Sequence, residues 1–395
     1  MSALLPVTDA QKRLLAMASR VTTEHLPLAA AAGRWAGEPV VARRTQPPAD
    51  LSAMDGYAIR FDDLPGPWRV VGESAAGRAF AGSIGPGEAV RIFTGAAMPT
   101  GSDSVLVQEE AARAGETLRL AGEGPPRRGM SVRRKGLDFD KGAVLIPAGA
   151  RLSPAMIALA ATGGHGDLLV NRRLRVAILA TGDELIVPGM ATDDPLALPE
   201  GNSAMLAAML ADLAVDIVQL GIIPDRLDAL TAAFVSADAD IVVTTGGASV
   251  GDHDLVRPAL EAAGGAIDFW RIAIRPGKPM LAGTLGDSMV LGLPGNPVSA
   301  FVTATLFLRP LVAAMAGALD PLPRLLAATL AEPLPANDHR QDYVRARIVD
   351  GRVSVAAIQD SSMLATLARA GCLVVRPPHA PAAAIGELVE ILPLA

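Results

Sequence analysis

Apolar positions change their period several times along the chain. At the N-terminus, Thr8-Asp9-Ala10-Gln11 forms a capping-box pattern, and Leu14, Leu15, Ala18 and Val21 continue as an apolar stripe. The spacing predicts a first helix over about 9–18. Residues 28–41 are Ala- and Gly-rich and carry no clear period. After Pro47-Pro48, four short alternating runs (68–71, 89–93, 104–108 and 117–120) lie between Gly and Pro, which predicts a small β domain. Ser153-Pro154 before an apolar run and Gly163-Gly164 after it predict a helix with a serine cap, proline at its first position and a glycine stop. This helix is expected to pack on the first one.

From Leu174 onward, β-branched runs alternate with helical stretches. Strands are expected at 176–180, 215–223, 241–245, 268–274, 280–282 and 289–293. Helices are expected from Asn202 or Ser203, from Pro224-Asp225, over 255–260, and from Pro297 into a long apolar stretch. Such alternation predicts a mostly parallel sheet covered on both faces. Pro321-Leu322-Pro323 marks a linker. Beyond it, strands near 343–349, 353–358, 373–375 and 387–391, the Asp350-Gly351 hairpin signal and a brief helix at 361–369 fit a small barrel or sandwich.

Composition narrows this picture. With 395 residues, 50% of them hydrophobic, the chain is long enough for two to four domains; with 3% aromatics, the cores must be built from Ala, Val, Leu and Ile. The net charge of −6 argues against generic nucleic-acid binding. Cys372 is the single cysteine, so an intramolecular disulfide and a zinc site of paired cysteines are excluded. The stretch 298–319 has the length of a membrane span, but Ser299, Thr303 and Thr305 dilute it and Arg309-Pro310 interrupts it. It reads as a buried helix followed by a break. No apolar signal core accompanies Asp9, Lys12 and Arg13, so the expectation is a soluble, cytoplasmic protein.

The chemistry gathers at predicted strand ends. Residues 240–254 pass from a buried strand into Thr244-Thr245-Gly246-Gly247-Ala248-Ser249-Val250-Gly251-Asp252-His253-Asp254, and a helix follows. A strand, a glycine turn and a helix start can cradle an anion, although any tight turn of an α/β protein shows the same local pattern. No Gly-Lys-Ser/Thr follows, so this is not a P-loop, and the Gly-x-Gly-x-x-Gly spacing of dinucleotide folds is absent. Thr181–Glu184, Arg275–Lys278 and Pro294–Pro297 fall at other strand ends, where ligands of such sheets bind. Arg271, Arg275 and Lys278 could hold phosphates or oxyanions. Asp183, Glu184, Asp225, Asp252 and Asp254 lie nearby. Each acid alone reads as a helix-start residue favoured by the dipole. Together, carboxylates beside phosphates suggest Mg²⁺. The run Arg133-Arg134-Lys135 reads by itself as a solvated face.

Five motifs carry a resemblance: Ser52-Ala53-Met54-Asp55-Gly56-Tyr57-Ala58, Arg91-Ile92-Phe93-Thr94-Gly95-Ala96, Ala180-Thr181-Gly182-Asp183-Glu184-Leu185, Thr245–Gly251 and Leu293-Pro294-Gly295-Asn296-Pro297. In this order, over nearly the whole chain, they resemble the molybdopterin molybdenumtransferase family, to which the C-terminal domain of gephyrin belongs. The resemblance implies an α/β multidomain fold in four parts. These are a helical dimerisation domain (1–41 with 140–171), an inserted small β domain (42–139), a three-layer molybdopterin-binding α/β domain (172–321) and a C-terminal β barrel (322–395). It implies insertion of molybdate into adenylylated molybdopterin with release of AMP and a requirement for Mg²⁺. The site would lie in a homodimer, between the third part of one subunit and the second of the other. By motif position, Asp55, Thr94, Asp138, Glu184, Asp225 and Asp254 would be catalytic, with Glu184, Asp225 and Asp254 the metal ligands. Arg133, Gly246, Gly247, Ser249, Gly251, Arg271, Arg275, Lys278, Pro294, Gly295, Asn296, Pro297, Arg345 and Ser361 would bind the pterin nucleotide. Arg271 and Arg275 stand where the family commonly has lysine. Implied protein partners are the upstream adenylyltransferase and downstream molybdoenzyme maturation proteins, with neither nucleic acid nor membrane. Rival readings are that adenylyltransferase itself, whose fold is a single domain, a non-catalytic scaffold, and a nicotinamide dehydrogenase.

Overall fold

The computed structural model describes residues 4–247 and 255–394. Its centre is a six-stranded sheet. In sheet order the strands are Val215–Ile223, Leu174–Thr181, Ile241–Thr245, Ser288–Leu293, Leu281–Leu285 and Ala266–Trp270. The first four run parallel, and Leu281–Leu285 runs antiparallel to both its neighbours. Alternate residues of Ile241–Thr245 enter two different cores. Ile241 and Val243 join the helices 202–210 and 297–315 on one face, and Val242 joins the helices 227–236 and 256–262 on the other. Both faces are buried, which is why these strands read as unbroken apolar runs.

The first helix is Val7–Met17, and the capping box is not realised: Pro6 precedes it and no side chain caps it. Its buried face, Val7, Ala10 and Leu14, belongs to the central α/β core, against the 309–315 helix. The Pro154–Thr162 helix therefore does not pack on it. This helix has the expected Ser153 cap, with the hydroxyl accepting from the Met156 amide at 3.3 Å. It shares a separate small core with Ala31, Val40, Ile146 and Val170. That region is less helical than expected, because Thr23–Pro27 pairs with Asp167–Asn171 as an antiparallel ribbon.

The 42–139 region forms a second six-stranded sheet. It contains the four expected strands together with Gly56–Ile59 and Ala111–Ala114. The C-terminal region closes into a five-stranded barrel, because Gln341–Val349 pairs with both Arg352–Val355 and Cys372–Arg376 while Leu326–Leu330 and Leu388–Pro393 complete the ring. Asp350 and Gly351 form its expected hairpin turn, both with positive φ.

Two expectations fail for physical reasons. The single strand expected over 268–274 is two: Ala266–Trp270 stays in the central sheet, while Ile274–Arg275 pairs with Gln341–Asp342 of the barrel. The helix from Pro297 does not break at Arg309-Pro310. It runs 19 residues to Met315, largely buried, through a π-helical turn at Ala304–Leu308 placed just before the proline. The wider turn accommodates a residue without an amide proton. Thr303 and Thr305 donate their hydroxyls to the carbonyls of Ser299 and Phe301, so the polar groups are satisfied within the helix.

Asp240 anchors the N-terminal end of the central strand. Its carboxylate accepts from both arms of the Arg172 guanidinium, at 2.6 and 2.8 Å, and from the Arg175 amide at 2.8 Å. Burial pushes this carboxyl up, but the Arg172 fork and the Arg175 amide outweigh it and leave the group below its ordinary value. A group depressed on folding stabilises above its unfolded pKa and loses that contribution as pH falls through the folded one. Asp240→Asn should therefore cost about 2 kcal/mol at pH 7 and progressively less as the pH is lowered past the usual carboxylate range. Denaturant titrations of both proteins across that range check this; a pH-independent difference would contradict it.

Candidate functional site

The C-terminal ends of three neighbouring parallel strands open into one pocket of about 720 Å³. Its walls come from Thr181–Leu185, Thr245–Gly247 and Pro294–Pro297. Leu198–Asn202 closes one side, and Ser362 and Leu364 reach in from the barrel. Glu184, Asp225, Gly246, Gly247, Pro294, Gly295, Asn296 and Pro297 are thus brought together as expected. The glycines are required here. Gly246 has φ +89°, and a Cβ on it would collide with the Thr181 carbonyl oxygen; Gly247 has φ +59°, and a Cβ on it would lie 2.6 Å from Val256 Cγ2.

Hydrogen bonds between loops fix the pocket. Asp225 accepts from the Thr181 hydroxyl, and its amide donates to Asp183 Oδ1 at 3.1 Å. Asn202 Nδ2 donates to the Gly295 carbonyl at 2.7 Å. Asn296 Nδ2 donates to Ser361 Oγ at 3.0 Å, and the Val298 amide donates to the Ser361 carbonyl. Ser361 therefore ties the barrel to the glycine-proline loop. Asn202 was expected to cap its helix, or Ser203 to do so. Instead the cap position is Gly201, and Glu200 Oε1 accepts from the Ser203 amide at 3.0 Å. Glu200, Asn202 and Ser362 are pocket residues that the motifs did not reveal. Only the Gly201-Asn202-Ser203 cluster gave a signal, and helix capping explained it equally well.

The basic residues separate. Lys278 is exposed beside the pocket-lining Pro279 and, among the described residues, has no ion-pair partner. Arg271 has φ +74° and lays its guanidinium over the Trp270 ring, 4.7 Å from the centroid. Arg275 was expected to bind the pterin nucleotide. Its guanidinium instead bonds to Asp338 and Asp342, holding the barrel against the sheet. Arginine in place of the commoner lysine fits this task, because a fork can grip two carboxylates at once.

Arg345, expected by resemblance to bind the pterin nucleotide, lies away from the pocket. It is buried, 1% exposed, and lines no wall of the pocket. Its amide and Nε donate to Gln359 Oε1 at 3.0 and 3.2 Å, and a terminal nitrogen donates to the Met363 carbonyl at 3.2 Å. Burial lowers its pKa. Arg345 thus braces the loop that carries Ser361 and Ser362. Arg345→Met is expected to raise KM for the ligand of this pocket roughly tenfold, with a smaller change in kcat, because only a binding wall is loosened. Steady-state kinetics separate the two; an unchanged KM would count against the bracing role.

Asp55 and Thr94 meet in the 42–139 sheet, away from the pocket walls. Asp55 Oδ1 accepts from the Thr94 amide at 2.7 Å and from its hydroxyl at 2.8 Å. The Thr94 amide first, and then its hydroxyl, hold the carboxyl below its ordinary value. Arg133 and Asp138 are exposed in the same region; neither lines the pocket. Ser249, Gly251 and Asp254 lie outside the described residues. Among the described residues, no cluster of three or more metal-ligating side chains forms.

Residues 5–164 match the family model for the MoeA N-terminal region (domain I and II), 177–314 the probable molybdopterin binding domain, and 327–394 the MoeA C-terminal region (domain IV). A molybdopterin molybdenumtransferase of Haemophilus influenzae is 34% identical over 401 residues, covering 99% of this chain and 98% of that one. The chain belongs to the molybdopterin molybdenumtransferase family. A molybdopterin molybdenumtransferase of Nostoc is 35% identical over 380 residues, covering 91% of this chain and 86% of its own. The crystal structure of the molybdopterin biosynthesis moeA protein from Pyrococcus horikoshii OT3 superposes with a TM-score of 0.85 at 27% identity, over 99% of this chain and all of that one. Across the family models, the pocket falls in the molybdopterin binding domain and borrows Ser362 and Leu364 from the C-terminal region.

Proposed function

We propose that this chain inserts molybdenum into molybdopterin, taking the adenylylated pterin and molybdate as substrates and releasing AMP. As a member of its family it is a transferase of molybdenum cofactor biosynthesis. The observation that carries the finer reading is the pocket itself. Three strand-end loops and a barrel loop converge on a space the size of a small nucleotide-like ligand, with carboxylates and close-approach glycine backbone in one wall.

In this reading, the Gly246-Gly247 backbone and Lys278 hold the phosphates. Glu184 and Asp225 fit Mg²⁺, which takes one or two carboxylates together with phosphate oxygens. When bound, the ion would neutralise charge on the phosphoanhydride. Asn202 and Asn296 fix the loop against which the pterin lies. The dithiolene sulfurs of the substrate receive the molybdenum, so no protein thiol is needed, and the buried Cys372 is idle. Catalysis then rests on positioning and electrostatics. AMP release from adenylylated molybdopterin, measured with and without molybdate and Mg²⁺, tests the reading; no oxyanion-dependent AMP release would overturn it.

The site is shared between two copies of the chain. Asp55 and Thr94 belong to it by motif, yet every described pocket wall lies in 181–297 or 362–364. A second subunit supplies them. Co-expressed Asp55→Ala and Glu184→Ala chains should regain activity in the mixed dimer, which contains one intact site, while each variant alone stays inactive. Absence of complementation would place the whole site within one subunit. Localisation in the cytoplasm, with hand-over from the adenylyltransferase and onward to molybdoenzyme maturation proteins, belongs to the same proposal.

A further inference from the structure

The Asp55–Thr94 pair sits at the meeting of two turns, and one side chain holds both. Arg91 lies on Glu88–Ile92, three residues before Thr94. It donates from one terminal nitrogen to the Gly56 carbonyl at 3.0 Å, directly after Asp55. Its other terminal nitrogen donates to Gln108 Oε1 at 2.9 Å, and the Gln108 amide donates to the Asp55 carbonyl at 3.1 Å. The guanidinium also contacts two rings, with its carbon 5.1 Å from the Tyr57 centroid and 4.7 Å from that of Phe93. Tyr57 and Phe93 are near neighbours of Asp55 and Thr94 in sequence. One cation therefore grips the segment that follows the Asp55 turn and the segment that precedes the Thr94 turn.

We propose that Arg91 is the positioning residue of the Asp55–Thr94 pair, locking the two turns in register and holding a positive charge beside the Asp55 carboxylate. Arginine is suited to this as lysine is not, because a planar fork can bond to two acceptors while stacking on rings. The charge environment agrees. Asp55 is depressed by the Thr94 bonds first, and Arg91 is the charged side chain that lowers it further. Gln108 and Thr94 are neutral, and Glu109, which accepts from Gln108 Nε2 at 3.4 Å, is the acid attached to this network. The sequence offered Arg91 only as the first letter of a motif; its role appears when Gly56, Phe93 and Gln108 are seen around it.

This inference rests on the proposed molybdenum insertion, and the experiment separates the two. Arg91→Gln, Arg91→Lys and Gln108→Ala are compared in the full-length protein by kinetics across pH and by hydrogen–deuterium exchange of the peptide containing Thr94. Arg91→Gln is expected to lower kcat about thirtyfold with KM little changed, as for a misplaced catalytic group. Its acid limb should move to higher pH, because Asp55 loses a favourable charge. Arg91→Lys should restore the acid limb but only part of kcat, since the charge returns without the fork. Gln108→Ala removes one bond at the rim and should give a smaller loss in the same direction, which keeps the test open should Arg91→Gln fold poorly. Exchange at the Thr94 peptide should quicken in all three variants. An unmoved acid limb in Arg91→Gln, or wild-type exchange at Thr94, overturns the inference. Wild-type protein without AMP release, but with the expected exchange changes, overturns the proposed reaction and leaves Arg91 as the lock of this pair.

Discussion

Gly246→Ala is expected to cost about 3 kcal/mol or more of folding stability and to abolish AMP release. Two effects add at this position. A non-glycine residue at positive φ costs about 1–3 kcal/mol, and an added methyl forced into a packed backbone costs a similar amount. The collision is with the Thr181 carbonyl, part of the neighbouring strand of the sheet, so the clash cannot be relieved by turning a side chain. Relief requires the two strands to part at the pocket mouth, which moves Asp225 through its bond to Thr181. Gly264 provides the control. It has the same φ of +89°, but nothing lies within 4 Å of an added Cβ. Gly264→Ala should cost about 1 kcal/mol and leave turnover intact. Equal losses of stability in the two variants would mean that backbone strain, and not contact between the loops, makes Gly246 necessary.

Glu184→Gln and Asp225→Asn are each expected to lower kcat for AMP release by about 10²- to 10³-fold, the scale seen when one preorganised electrostatic contact is lost. Stability should change little. Glu184 is exposed and Asp225 is half-buried, so neither substitution opens a cavity. The two should differ in their response to Mg²⁺, because the Asp225 carboxylate is held by Thr181 and its amide by Asp183, whereas the exposed Glu184 carboxylate has no hydrogen-bond partner among the described residues. Asp225→Asn should require more Mg²⁺ to reach its plateau, and Glu184→Gln should have a low plateau at any concentration. Turnover titrated with Mg²⁺ measures both. Either variant within threefold of wild type would remove that carboxylate from the reaction.

The central sheet was legible because its strands are buried on both faces and therefore read as continuous Val, Ile and Leu runs; Ile241, Val242 and Val243 could hardly be anything else. Convergence of the loops followed from parallel order, since strand ends on the same edge must meet. Other features were not legible, for reasons that can be stated. Thr8-Asp9-Ala10-Gln11 has the letters of a capping box, but the helix starts two residues earlier, at Val7, and Pro6 takes the cap position. The N-terminal helix packs on a partner about 300 residues distant, and no local period reports such a contact. Arg275 looked like an anion ligand because it stands beside a Pro-Gly turn at a strand end, and Arg345 because the family resemblance carried it over. Their acceptors, Asp338, Asp342, Gln359 and the Met363 carbonyl, come from strands and loops of the barrel, whose register the sequence does not declare. Asn202 was ambiguous in kind, as the same amide that caps a helix can tie two loops.

The π-helical turn at Ala304–Leu308 has a consequence for chain length. Each residue of an α-helix advances the azimuth by about 100°. A π turn holds one residue more than an α turn, so it absorbs that residue locally and leaves Leu311, Val312 and Met315 facing the core shared with the N-terminal helix. Deleting one residue from Ala304–Leu308 would close it to an ordinary α turn and keep that orientation, but would set the Pro310 ring against the carbonyl one turn back. Adding a further residue would instead exceed what one wide turn can hold, swing the apolar stripe by about 100° toward water and take Arg309 from its two-pronged grip on Asp212. A one-codon insertion here should thus be far more damaging than a one-codon deletion, because only the insertion alters phase.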